Sequence, residues 1–169
     1  MNIRGGLVTA GGLGLMPIAP GTWGSLPPVA LAFGMAALAV PVWMMDVSLI
    51  LLTIAFSIAC VRFGDYAEQR FGRKDPSQVV ADEVAGQSLA LLMLPWRQPA
   101  TSADWMWNIG LAMMAFAFFR IFDVTKVPPA AQAQRLRGGW GILVDDLVAG
   151  IYALIATHML AYFVLPMIV

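Results

Sequence analysis

The chain has 169 residues, 60% hydrophobic and only 12% charged, with no net charge at neutral pH and a mean hydropathy of +0.77. Soluble domains carry about 25% charged residues, and a chain this small leaves too much surface exposed for water to be its main solvent, so lipid replaces water over most of it. The balanced charge gives no sign of a nucleic-acid partner, and the single cysteine, Cys60, excludes an intramolecular disulfide.

At the N-terminus Arg4 is followed by Gly11, Gly12, Gly14, Pro17 and Pro20, which break the apolar run before a signal-peptide core can form. No cleaved leader is expected, and residues 1–169 read as one membrane-embedded domain. A glycine-rich loop, Pro20-Gly21-Thr22-Trp23-Gly24-Ser25, precedes the first apolar stretch. A spanning helix needs about 20 mainly apolar residues. Residues 26–45, 47–61, 105–122 and 147–169 meet or approach that length. A fifth stretch, residues 84–96, reaches it only if the helix starts near Pro76 and takes in Asp82 and Glu83. Asp75-Pro76-Ser77-Gln78 supports that start, with Asp as N-cap, Pro at the first helical position and Gln closing a capping box. The expected architecture is an all-α bundle of about five transmembrane helices with glycine-rich loops at its cytoplasmic face. No oligomeric state follows from it.

With the N-terminus inside, nine of the ten Lys and Arg residues fall on the cytoplasmic side, and only Arg97 falls outside. Arg135 and Arg137, beside the second glycine-rich loop, Gly138-Gly139-Trp140-Gly141, are among the nine. Trp43, Trp96, Trp105 and Trp107 then form an outer aromatic belt.

Asp82, Glu83, Asp123, Asp145 and Asp146 all sit at the cytoplasmic ends of apolar helices. Ionisable groups at such depth are costly and face partners in a polar cavity. A metal explains five acids from three helices better than pairing with Arg120 and Lys126 alone. The carboxylates, with no thiolate pair, favour Mg²⁺ or Mn²⁺ over zinc. His158, deep in the last span, reads as a packing residue.

Arg120, Asp123 and Lys126 recur at i, i+3 and i+6. They make an ion-pair ladder or, beside a metal, a bidentate Arg and a point-charge Lys for a phosphate. The two glycine-rich loops join the same face and suit an anion, yet neither is a Walker motif. Asp82-Glu83-Val84-Ala85-Gly86 and Asp146-Leu147-Val148-Ala149-Gly150 look alike, and their glycines also suit close helix packing. A cysteine or histidine nucleophile is excluded by the placement of Cys60 and His158. Metal-assisted attack by water, or an Asp nucleophile, on a phosphate monoester remains.

Four motifs in order resemble the phosphatidylglycerophosphatase A family of bacterial inner-membrane enzymes. They are Pro20-Gly21-Thr22-x-Gly24-Ser25, Asp82-Glu83-x-x-Gly86, Phe119-Arg120-x-x-Asp123-x-x-Lys126, and Gly138-Gly139-x-Gly141-Ile142-x-x-Asp145-Asp146-x-x-Ala149-Gly150. One departure is Val127, where the family pattern places Pro directly after the Lys. The resemblance implies Mg²⁺-dependent hydrolysis of phosphatidylglycerophosphate to phosphatidylglycerol and phosphate at the cytoplasmic face of the inner membrane. It implies that Asp82, Glu83, Asp123, Asp145 and Asp146 hold the metal and act on the attacking water. Arg120 and Lys126 bind the phosphoryl oxygens, and Gly21, Thr22, Ser25 and Gly139 complete the phosphate cradle. Two other classes fit parts of this pattern. A CDP-alcohol phosphotransferase needs a spaced Asp-Gly-x-x-Ala-Arg signature, which the chain lacks. A channel or transporter needs acids spread through the membrane depth, whereas these gather at one face.

Overall fold

A computed structural model describes residues 2–133, 136 and 138–164. Arg135, Arg137 and the end of the last expected span, residues 165–169, lie outside them. Helices α1 (Ile3–Val8), α2 (Pro20–Ala37), α3 (Val42–Phe71), α4 (Ala81–Ala90), α5 (Ser102–Thr125), α6 (Ala130–Ala133) and α7 (Gly139–Met159) follow in order, with no strand among the described residues. A 3₁₀ segment at Ala10–Leu15 links α1 to α2, and α7 ends in a π turn over Leu160–Val164.

Among the described residues three helices are long and apolar enough to cross a membrane: Val42–Phe71, Ser102–Thr125 and Gly139–Phe163. They mark a membrane-associated protein, and the five full spans expected from the sequence are not all present among the described residues. The expected span at residues 26–45 is broken. Its helix starts earlier, at Pro20, and ends at Ala37, while Pro41 caps α3. The next run then extends to Phe71, 30 residues in all, where Gly72 in the left-handed region (φ 70°) stops it.

The largest departure is α4, only 10 residues long, about 15 Å at 1.5 Å per residue. It does not start near Pro76. Asp75 adopts a left-handed backbone (φ 48°) instead of capping a helix, and the Val79 N–H closes a turn onto the Pro76 carbonyl. The Val80 N–H then donates to the Val8 carbonyl of α1. A long-range bond thus overrides a local capping signal.

Beyond α4 the chain turns over residues 91–93 and runs without helix through residues 94–97, a conformation that survives in an apolar setting only when neighbours satisfy its backbone. They do. Asp46 accepts from the Met93 N–H, Trp107 donates to the Pro95 carbonyl, Asn108 bonds both the N–H and the carbonyl of Arg97, and His158 Nε2 faces the Met93 carbonyl at 2.9 Å. His158 is therefore a packing residue, as its depth suggests. The expected aromatic belt is only half present. Trp43 and Trp105 are exposed, whereas Trp96 is buried and Trp107 serves this cap under the Arg97 guanidinium.

α4 is the hub, packed on α2, α3, α5 and α7. Its crossing with α7 is made by the two similar motifs. A methyl on Gly150 would strike the Gly86 carbonyl, and one on Gly86 would lie 2.5 Å from the Asp146 carbonyl oxygen. Gly86 and Gly150 let the two backbones touch, which brings the helix turns carrying Asp82 and Asp146 together.

Candidate metal and phosphate site

The site forms where the start of α4 meets the starts of α2 and α7 and the end of α5. Carboxylate oxygens of Asp82, Glu83 and Asp146 lie within 4.8 Å of one another. Asp82 and Asp146 are buried, and Glu83 is half-buried. Each of the three keeps one oxygen shut off from solvent with no hydrogen-bond partner: Asp82 Oδ1, Glu83 Oε2 and Asp146 Oδ2. Three neighbouring carboxyl groups that each bury an unpartnered oxygen are costly unless a cation joins them. All are hard donors, the set that Mg²⁺ or Mn²⁺ takes, so the residues fit a divalent ion. Within α4, short of a full span, burial raises the Asp82 carboxyl well above the usual range, and the neighbouring Glu83 charge adds to this. Burial also carries Glu83 up to about 8.

The other two acids bind cations. Asp123 Oδ2 lies 2.6 Å from Arg120 Nη1, and Asp145 Oδ2 lies 2.5 Å from Lys126 Nζ. Of the expected Arg120–Asp123–Lys126 ladder only the Arg120–Asp123 pair forms, Lys126 pairing with Asp145 instead, and of the five expected acids Asp82, Glu83 and Asp146 converge. Asp123 nevertheless adjoins Asp146, so the pairs form the rim of the cluster. Lys126 reaches Asp145 from a left-handed backbone (φ 47°) at the C-cap of α5. Burial lowers its pKa, but the hydrogen bond and charge of Asp145, with Asp146 and Asp123, outweigh that and raise it.

The first glycine-rich motif is the opening turn of α2, with Ala19 as a left-handed N-cap (φ 49°) and Pro20 at the first position. A side chain on Gly21 would overlap the Glu83 carboxylate and come within 3.1 Å of both Arg120 guanidinium Nη atoms. Gly21 thus admits Glu83 and Arg120 against the positive end of α2. Ser25, fully buried, donates to the Gly21 carbonyl at 2.8 Å and accepts from Arg120 Nη1 at 3.5 Å. Thr22 is half-buried in the same turn.

The second glycine-rich motif is not a loop either: Gly139 opens α7, and Gly138 caps it. Gly139 lies against α3, where a methyl would press on the backbone of Cys60 and Val61. The structure thus places it at a helix contact.

Asp75 went unrecognised in the sequence as a neighbour of the site. Its charge acts on Asp82 and Asp145, and with Lys74, Gly141 and Ile142 it lines a pocket of about 250 Å³. It takes a left-handed backbone (φ 48°) and stays exposed, and no local signal announces its place beside the site.

Residues 6–161 match the family model described as phosphatidylglycerophosphatase A. Among curated proteins, phosphatidylglycerophosphatase A of Haemophilus influenzae is 33% identical over 91% of this chain and 86% of its own length. The Escherichia coli K12 protein of the same name is 32% identical over 83% of this chain and 73% of its own length. A Bacteroides thetaiotaomicron protein named "Putative phosphatidylinositol-3-phosphatase" is 34% identical over 87% of this chain and 86% of its own length. No solved structure matches the chain. The chain belongs to the phosphatidylglycerophosphatase A family and is a phosphatase.

Proposed function

We propose that this phosphatidylglycerophosphatase A family member uses Mg²⁺ held by Asp82, Glu83 and Asp146 to remove the terminal phosphate of phosphatidylglycerophosphate, leaving phosphatidylglycerol. The reading is carried by the three carboxylates grouped within 4.8 Å, each with an orphaned buried oxygen, beside Arg120. When bound, the ion supplies charge neutralisation at the phosphoryl group and a more acidic water.

The chain's own residues do the positioning. Arg120 is clamped by Asp123 and Ser25, so its remaining N–H donors are preorganised for phosphoryl oxygens and for the charge that grows on them during transfer. Lys126 adds a point charge, and the first turn of α2 adds a helix N-terminus. Asp145 and Asp123 hold the two cations. Acyl chains would stay among the exposed apolar side chains of α3, α5 and α7 while the head group enters from the cytoplasmic face of the inner membrane.

The test is inorganic phosphate released by the detergent-purified protein from phosphatidylglycerophosphate, with Mg²⁺ and then with EDTA. A parallel arm uses phosphatidylinositol 3-phosphate, the substrate class in the name of the Bacteroides relative. Mg²⁺-dependent release from phosphatidylglycerophosphate is expected. Release that persists in EDTA would overturn the metal assignment, and release only from the phosphoinositide would overturn the substrate.

A further inference from the structure

Gln87 is fully buried in α4, and neither its Oε1 nor its Nε2 has a hydrogen-bond partner. A carboxamide offers two donors and an acceptor oxygen, and burying one unpaired is destabilising. Its neighbour Ser88, equally buried, shows how α4 normally handles a polar side chain: the hydroxyl donates to the Val84 carbonyl one turn back, at 2.7 Å. Gln87 finds no such partner.

Its position says what the amide awaits. Gln87 follows Glu83 by four residues, so the two side chains stack on one helix face. Long helical side chains lean toward the N-terminus, which carries the amide back toward Glu83. The Glu83 carboxylate holds the orphaned buried Oε2. Two unpartnered groups of complementary chemistry thus sit one turn apart on the same face of α4.

We infer that Gln87 is a positioning residue of the metal site: in the ion-loaded protein its Nε2–H donates to Glu83 Oε2 and fixes the carboxylate for the cation. This rests on the proposed reading of Asp82, Glu83 and Asp146 as cation ligands. A hydrogen bond to a ligating carboxylate typically changes metal affinity by about 10–100-fold.

The experiment is a Mn²⁺ titration of the purified full-length protein, followed by electron paramagnetic resonance, in wild type and Gln87→Met. Methionine keeps the length and removes the amide. The expected result is a Kd raised at least about 10-fold, with the metal-free variant at least as stable as wild type because an unpaired amide has gone. A Kd within twofold of wild type overturns the inference. Should Gln87→Met not fold, Gln87→Asn retracts the amide by one methylene and carries the same expectation and the same refutation. In a Glu83→Gln background, Gln87→Met is expected to leave the residual Mn²⁺ affinity unchanged, since the coupling runs through Glu83; a further 10-fold loss there overturns it. Failure of the wild type itself to bind Mn²⁺ would instead refute the metal reading.

Discussion

Gly86→Ala tests whether the helix crossing sets the geometry of the acids. In an open helix position this change would stabilise by about 1 kcal/mol. Here the new methyl would lie 2.5 Å from the Asp146 carbonyl oxygen and 2.6 Å from Phe119 Cε2, roughly 1 Å short of ordinary contact at 3.4 Å. The obstructing atoms are a backbone and a fully buried ring, so α4 and α7 must part by about that distance. Overpacking of this kind costs about 1–3 kcal/mol. A displacement of about 1 Å between catalytic groups costs about 10²-fold in rate, and Asp82 and Asp146 ride on the two helices being parted. The expected outcome is a folded protein with a modestly lowered Tm and about 10²-fold slower phosphate release. Gly34→Ala in α2 and Gly110→Ala in α5 are the controls, since a methyl at either meets nothing within 4 Å; both should keep full activity. Activity of Gly86→Ala within threefold of wild type would refute the reasoning.

Asp82→Asn and Asp146→Asn should each lower phosphate release by at least about 10²-fold while leaving a folded protein in EDTA; turnover near wild type in either would remove that residue from the site. In EDTA, stability should fall as pH rises. The folded pKa of Glu83 is pushed up to about 8, against about 4.3 in an unfolded chain, so between these values the folded state binds the extra proton and gains from low pH. Saturating Mg²⁺ should flatten that slope, and a Tm in EDTA that rises from pH 5 to 8 would contradict the assignment. Lys126→Met removes the ammonium bonded to buried Asp145 and should destabilise by about 1.5–3 kcal/mol, part of which Asp145→Asn restores in the double variant; strict additivity in chemical denaturation would show that the pair is not coupled. His158→Ala frees the Met93 carbonyl and should cost about 1 kcal/mol with Mn²⁺ affinity unchanged, whereas a weakened affinity would make His158 part of the metal site.

The acids were legible because charge is scarce in this sequence. Asp82, Glu83 and Asp146 stand out as ionisable residues beside apolar runs, and membrane depth gives each a cost that a site must offset. The 3.6-residue spacing also made Arg120 and Asp123 readable as partners. Pairing across the chain was not readable, because the bond between Lys126 and Asp145 depends on a left-handed cap at the end of α5. The length of α4 failed for a similar reason. Asp75-Pro76-Ser77-Gln78 is a sound local start signal, yet a bond from Val80 to Val8 and a left-handed backbone at Asp75 delay the helix to Ala81.

That delay bears directly on the site. A helix begun at Pro76 would carry Asp82 and Glu83 into its second turn, where the backbone amides are already bonded within the helix. Begun at Ala81, α4 offers both acids in its first turn, beside the unsatisfied N–H end that favours carboxylate charge. The same truncation leaves α4 about half as long as a 30 Å hydrocarbon layer is thick, and the non-helical residues that follow it are secured by Asp46, Trp107, Asn108 and His158. Polar residues in the apolar half of this protein thus have a structural task that follows from the shortness of α4. Among the acids Asp46 is committed to that task, whereas Asp82, Glu83 and Asp146 converge at the opposite end of α4.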